Sequence, residues 1–431
     1  MPVYASRLAV LAAIVVPATL APTGVSAQPL TLQDALDLAR ERNGTIRAAL
    51  LDLEAAKSRS RQAFADFLPE ITADWRQTES LSKTYTGPIR DGRFLVDRRS
   101  GVTASWRVLD AGQRDLSSRA ARRSELAQAG AATQTMRATL FGVYQRYFDA
   151  LRAQELLRVA SAQVERAAAI DRLTRAGAEV GSLPRKDVLQ SEADLLNARV
   201  SELGARNQIA TSQAELKAII GWEADRPLPE LAVIAEPEEV ELEPMEDVIR
   251  AGLAERPDLQ SRRLRLESAR LLARRTSLAA GINYAVDLSF SRSFSQEVAD
   301  GRTLTLSASY PLFDGGFARE AAREARLGVL AAEADLVQAE REARAEIESA
   351  YQVLKQNSER LRAARLAREA AKVNFEAASQ SFEQGAEGTS VITVLTAQVS
   401  LVTAESNFVE ALYDVAIAEA RLRLTTGRPL P

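Results

Sequence analysis

Leu109-Asp110-Ala111-Gly112 returns as Phe313-Asp314-Gly315-Gly316, 204 residues further along the chain. Ala104-Ser105-Trp106 returns at the same offset as Ala308-Ser309-Tyr310, and Tyr147 returns as Tyr351. Gly221 maps onto Gly427 at an offset of 206, which places a two-residue insertion near 385–389. A period of about 200 residues is far longer than that of solenoid repeats, so the chain is one duplicated unit.

Working outward, each copy repeats one order of elements. Residues 28–222 form the first repeat, 223–244 an acidic, proline-containing linker with a short strand at Leu231–Ile234, and 245–431 the second repeat. In the first, Thr31-x-x-Asp34 opens a helix as a capping box, and a second helix covers Thr45–Phe67. In the second, a helix starts near Met245 and another at Arg256-Pro257-Asp258, with proline suited to the first turn. Gln113 to Ala176 holds no proline, and Leu140, Tyr144, Tyr147 and Leu151 fall on one stripe. Phe317–Gln384 is its counterpart. Helices this long need coiled-coil support. Glycine-rich turns then lead into returning helices at 185–220 and 391–426.

Between the helices the period falls from 3.6 to 2. Four segments alternate: about 70–78, 101–109, 282–292 and 302–312. Each has one apolar and one polar face and is 9–11 residues long, the length of a tilted transmembrane strand. Four strands are too few to close a barrel, and lipid does not tolerate open edges. Other subunits must therefore complete it. Trp75 and Trp106 suit either an interfacial belt or packing between strands. Arg90, Arg93, Arg98 and Arg99 are expected in a loop from Thr78 to Ser100, either solvated or touching anionic lipopolysaccharide.

The chain has 431 residues, a formal net charge of −3, and neither histidine nor cysteine. Disulfides, thiolate metal sites, cysteine nucleophiles and histidine bases are excluded. The charge balance gives no general reason to bind nucleic acid. Arg7, the apolar run Leu8–Val16 and Val25-Ser26-Ala27 read as a secretory signal over residues 1–27. The absence of cysteine leaves no site for lipid attachment. No run of 18 apolar residues follows, so any membrane crossing must use strands.

These features together resemble the TolC family of bacterial outer-membrane efflux proteins. The resemblance is carried by Leu68-Pro69, Arg256-Pro257-Asp258-Leu259, Tyr310-Pro311-Leu312-Phe313-Asp314-Gly315-Gly316, and Gly221 and Gly427 closing each repeat. It implies a mainly α fold with a membrane β-barrel portion. A homotrimer would form a 12-stranded barrel continued by a long periplasmic α-barrel. The resemblance further implies a passive conduit for efflux or type I secretion, coupled through a periplasmic adaptor to an inner-membrane transporter. It implies no catalytic residue and no cofactor. The adaptor would meet the hairpin tips at Val180-Gly181-Ser182 and Glu387-Gly388-Thr389, where Gly181 and Gly388 also suit helix C-caps. The family constricts its periplasmic entrance with aspartates. Asp187 matches one of these, while Thr393 and Thr396 stand where two others are expected. Asp187 also suits a helix N-terminus. Asp110, Gly112, Asp314, Gly315 and Gly316 make the strand-to-helix turns. A phosphate loop at Gly315-Gly316 is excluded, because Phe317-Ala318-Arg319 follows instead of Lys-Ser/Thr. The rival reading is a periplasmic coiled-coil structural or adaptor protein, although two hairpins without lipoyl-like segments speak against it.

Overall fold

The computed structural model describes residues 29–86, 89–232, 242–294, 298–384 and 390–430, with the backbone alone over 80–86 and 89–97. The expected signal segment and the second hairpin tip, Glu387-Gly388-Thr389, lie outside the described residues.

The first half runs α1 (Leu32–Arg42), α2 (Gly44–Ala65), β1 (Glu70–Thr86), β2 (Ile89–Leu109), α3 (Gln113–Glu179) and α4 (Arg185–Ile220). The second runs α5 (Met245–Glu255), α6 (Pro257–Ala279), β3 (Asn283–Phe294), β4 (Val298–Ser309), α7 (Phe317–Glu383) and α8 (Val391–Thr425). Both α3 and α7 are 67 residues long, which is about 100 Å at 1.5 Å per residue. Among the described residues no helix is long and apolar enough to cross a membrane.

Local chemistry sets most boundaries. The Thr31 side chain accepts from the Asp34 amide while Asp34 accepts from Thr31, a complete capping box. Asn43 caps α2 by accepting from the amides of Thr45 and Ile46. Gly221 and Gly427 end α4 and α8 in the left-handed region, with φ of +67° and +81°. A Cβ on Gly427 would stand 3.0 Å from the Glu255 carbonyl carbon, so only glycine lets α8 close on the end of α5.

The core lies midway along the helices. Leu36, Ala39 and Ile46 from the short helices meet Val143, Tyr147 and Leu151 of α3, Leu216 and Ile220 of α4, and Tyr413 of α8. The Tyr147 hydroxyl donates to the carbonyls of Leu30 (2.8 Å) and Ala232 (3.0 Å). It thereby ties both extended segments to α3, beside a parallel bridge from Leu30 to Leu231. The expected strand at Leu231–Ile234 is described only at Leu231 and Ala232, where this bridge lies; Val233 and Ile234 lie outside the described residues.

The four strands form one antiparallel sheet in the order β1-β2-β3-β4. Two expectations need correction. The first hairpin is much longer than 70–78 and 101–109: its ladder continues from Trp75↔Ser100 to Thr86↔Ile89 after β3 has ended. This extension, roughly 40 Å, keeps pairing without apolar alternation, because backbone hydrogen bonds need no buried face. Arg90, Arg93, Arg98 and Arg99 therefore lie on β2 and not in a loop. The last strand spans Val298–Ser309 instead of 302–312. It stops before Tyr310-Pro311, where proline offers no amide to the ladder.

Candidate channel entrance and membrane face

Antiparallel register puts one apolar row on one sheet face. Ile71, Ala73 and Trp75 share it with Val102, Ala104 and Trp106, then with Leu288 and Phe290, then with Leu304 and Leu306. These side chains are largely exposed in the single chain, Trp75 at 70% and Leu306 at 78%. The other face carries Thr103, Ser105, Arg107, Asp287, Ser289 and Thr305, with Arg107 Nε 3.0 Å from Asp287. At the far end of the apolar row, Arg292 grips Asp300 through two contacts, 2.6 and 2.9 Å. Charges there bound an apolar band of the kind a bilayer requires. Trp75 sits level with that end. Trp106 sits near the helical end, where its Nε1 donates to the Phe67 carbonyl at 2.9 Å.

The turns out of the sheet are built by aspartates. Asp110 accepts the Arg114 amide and its Nε, both at 2.9 Å. Asp314 accepts the amides of Gly316 and Ala318, both at 2.9 Å, and these hold its carboxyl below the ordinary carboxylate range. Each aspartate therefore caps a 67-residue helix. Gly112, Gly315 and Gly316 adopt φ of +82°, +68° and +88°. Ala111 occupies the position of Gly315 with φ +55°, which costs a non-glycine residue energy.

At the opposite end of α3, Val180, Gly181 and Ser182 form the described hairpin tip. The Gly181 amide donates to the Ala178 carbonyl and the Ser182 amide to the Gly177 carbonyl, a Schellman turn with Gly181 at φ +75°. Val180 projects outward, 80% exposed. Leu183 folds back onto Ile170, Val391, Val394 and Leu395, joining this tip to the start of α8. Asp187 is the third residue of α4 and Thr393 the third residue of α8. Thr393 and Thr396 are both exposed, and the Thr396 hydroxyl donates to the Ile392 carbonyl at 2.8 Å.

Sequence reasoning missed a polar cluster about two and a half turns below this tip, nine residues before Val180. Asp171, only 6% exposed, accepts from Arg175 Nε (2.8 Å) and from Ser191 Oγ (3.1 Å) on α4. Arg175 also reaches Glu192 at 3.2 Å. The spacing from Asp171 to Arg175 was the available signal. Arg256, part of the Arg256-Pro257-Asp258-Leu259 motif, is also a buried charge centre. Its buried guanidinium bonds Asp258 twice and Glu346 once. Among the described residues no cluster of three or more acidic side chains is placed to hold a metal ion.

A family model for outer membrane efflux proteins matches residues 35–222 and 248–428. The chain belongs to that family. Its matched segments leave out the region between Trp222 and Val248. Protein CyaE of Bordetella pertussis is 28% identical over 79% of this chain and 71% of its own length. The alkaline protease secretion protein AprF of Pseudomonas aeruginosa is 26% identical over 92% and 84%. Among solved structures, CusC superposes with a TM-score of 0.80 at 18% identity over 92% of each chain. The CmeC outer membrane channel of Campylobacter jejuni gives 0.81 at 18% identity, over 92% of this chain and 85% of that one. The protein is thus an outer-membrane channel of the efflux and secretion class, with the TolC-like fold and its helices in the periplasm.

Proposed function

We propose that three copies assemble into one passive conduit, each giving four strands to a 12-stranded barrel. The carrying observation is the pair of open edges, β1 and β4, on a sheet whose outward face is apolar. Lipid forbids such edges. The helical layer has matching open flanks. Leu189, Leu196, Val200 and Leu203 form an exposed stripe on α4, and Leu330, Val337, Leu366 and Val373 are exposed on α7. A neighbouring copy would cover both.

Residues 28–222 and 245–431 act as the two repeats, joined by 223–244 and preceded by an export signal over 1–27. The tips Val180-Gly181-Ser182 and Glu387-Gly388-Thr389 receive a periplasmic adaptor, which couples the conduit to an inner-membrane transporter. Asp187, Thr393 and Thr396 line the entrance. The chain is no enzyme and needs no cofactor: transport work is done by the transporter. The likeness to AprF, a protease secretion protein, favours protein cargo.

Fractionation followed by sedimentation of the detergent-solubilised protein tests the assembly. An outer-membrane species of three chain masses is expected. A soluble periplasmic monomer overturns the reading and restores the coiled-coil adaptor alternative.

A further inference from the structure

An open groove of about 660 Å³ lies beside the end of the sheet. Ala111, Gly112 and Leu116 of the β2–α3 junction form one side, Arg274 and Leu278 of α6 another, and Arg326 of α7 closes it. Its level is set by the chain. Gly112 follows the last residue of β2, Leu109, by three positions, and Leu278 precedes the first residue of β3 by five. The groove therefore begins where the apolar band ends, on the helical and periplasmic side.

The groove also faces outward. α3 and α6 touch on one side through small groups, with Ser261 Oγ donating to the Ala127 carbonyl (2.6 Å) and Ser268 Oγ to the Ala120 carbonyl (2.9 Å). On the groove's side long charged residues span the gaps, Arg123 to Glu267 and Arg270 to Glu333. The small-residue stripe of α3 begins at Gln113, seven residues before Ala120, and the Gln113 Nε2 donates to Asn283 Oδ1 at 2.7 Å, on the polar face of the sheet with Asp287. That stripe therefore continues the polar face, and the groove, lined by Gly112, Leu116 and Arg119, lies off it on another side of α3.

Three cations and one carboxylate line this groove. Arg119 is paired with Asp115 at 3.5 Å. Arg274 and Arg326 are exposed and have no ion-pair partner among the described residues. Leu116 and Leu278 add an apolar wall beside them. Two free guanidiniums over apolar surface at a membrane boundary match one chemistry: a phosphate ester attached to acyl chains.

We propose that this groove binds the headgroup of an anionic glycerophospholipid from the periplasmic leaflet. Arg274 and Arg326 hold its phosphate while Leu116 and Leu278 meet the start of an acyl chain. The inference rests on the outer-membrane placement of the sheet. It does not depend on the cargo or the adaptor.

The test uses the intact protein in detergent micelles, exposed to phosphatidylglycerol or phosphatidylcholine and analysed by native mass spectrometry. Phosphatidylglycerol should be retained in preference to phosphatidylcholine. Arg274→Gln with Arg326→Gln should lower its retention about 30-fold, whereas Arg274→Lys with Arg326→Lys should keep most of it. Circular dichroism and oligomeric mass check that each variant is folded. Equal retention of the two lipids overturns the proposal, as does undiminished retention by the glutamine variant. Displacement of the lipid by millimolar inorganic phosphate identifies a free-anion site and overturns it too. If the protein fails to reach the outer membrane at all, the family reading of its location fails instead.

Discussion

Replacing Tyr147 by Phe isolates the tie between the helical core and the two extended segments. The side chain is fully buried, and its hydroxyl serves the carbonyls of Leu30 and Ala232. Phe keeps the ring and its packing. The Leu30 carbonyl retains the Ala232 amide at 3.0 Å, so only the Ala232 carbonyl loses a described partner. One lost hydrogen bond with one acceptor left short costs about 1–2 kcal/mol. Since 1.4 kcal/mol is tenfold in an equilibrium constant, local opening should rise roughly 5- to 30-fold. The repeat supplies its own control. Tyr351 Oη donates to the Glu243 carbonyl at 3.0 Å in an exposed setting, where water replaces the hydroxyl and Tyr351→Phe should cost under about 0.5 kcal/mol. Hydrogen–deuterium exchange of peptides covering Leu30 and Ala232 reads the difference. Equal exchange in the two variants, or no acceleration in Tyr147→Phe, refutes the assigned tie.

Ala111→Gly should stabilise the protein by about 1 kcal/mol, read as slower thermal inactivation, because it relieves the positive φ that Gly315 already accommodates. Arg256→Ala should destabilise by about 2–4 kcal/mol, since it strands Asp258 and Glu346; unchanged resistance to heat would contradict this. Burial raises the Asp258 carboxyl, but the hydrogen bonds and charge of Arg256 outweigh it and leave it lowered. Its contribution is therefore present above the ordinary pKa of 3.8 and lost as pH falls through the lowered value, so Asp258→Asn should flatten the acid limb of a stability profile. Burial pushes Tyr144, Tyr147 and Tyr413 up to about 12. Their contribution is complete below pH 10 and lost as pH rises through 12, and the share of the near-ultraviolet tyrosinate signal that belongs to these three should appear only with unfolding. If Asp187 and Thr393 line the entrance as proposed, block of single channels by a trivalent cation should be weak in the native protein and at least roughly tenfold tighter in Thr393→Asp, which would add a second carboxylate ring. Nanomolar block of the native channel would refute this.

What was legible in the sequence was written in punctuation and period. Pro184 and Gly221 bracket α4 where its backbone can start and stop, and Thr31-x-x-Asp34 needs only its own four residues to act. The alternation of Leu304, Leu306 and Ala308 sorts the sheet faces without knowledge of a partner strand. The extended β1–β2 ladder was not legible, because its pairing lies in the backbone and outlasts the apolar pattern. Nor was the role of Asp110 and Asp314. Glycine-rich turns advertise φ, whereas capping depends on how a carboxylate is turned toward amides up to four residues on. The Asp171–Ser191 contact joins residues 20 apart on two helices, and only the hairpin's packing brings them together.

Equal repeats have unequal surroundings, and that inequality carries the assembly argument. α3 and α7 match in length, yet α3 buries 17 residues and α7 only 8. α3 is flanked by α2 and α6 and by α4 and α8, so it is interior to the layer. α7 packs against α6, α8 and α5, and among the described residues no other element packs against its outer flank to a comparable extent. Leu327, Leu330 and Val337 remain on that flank at 47–59% exposure. A duplicated unit that closed on itself would have made the two helices equivalent within one chain. In the proposed assembly equivalence returns when α7 meets the α2 and α4 flank of another copy, just as β4 meets another β1. The sheet and the helical layer are open on the same two sides, so one rotation satisfies both, and barrel closure in lipid and wall closure in the periplasm become a single event.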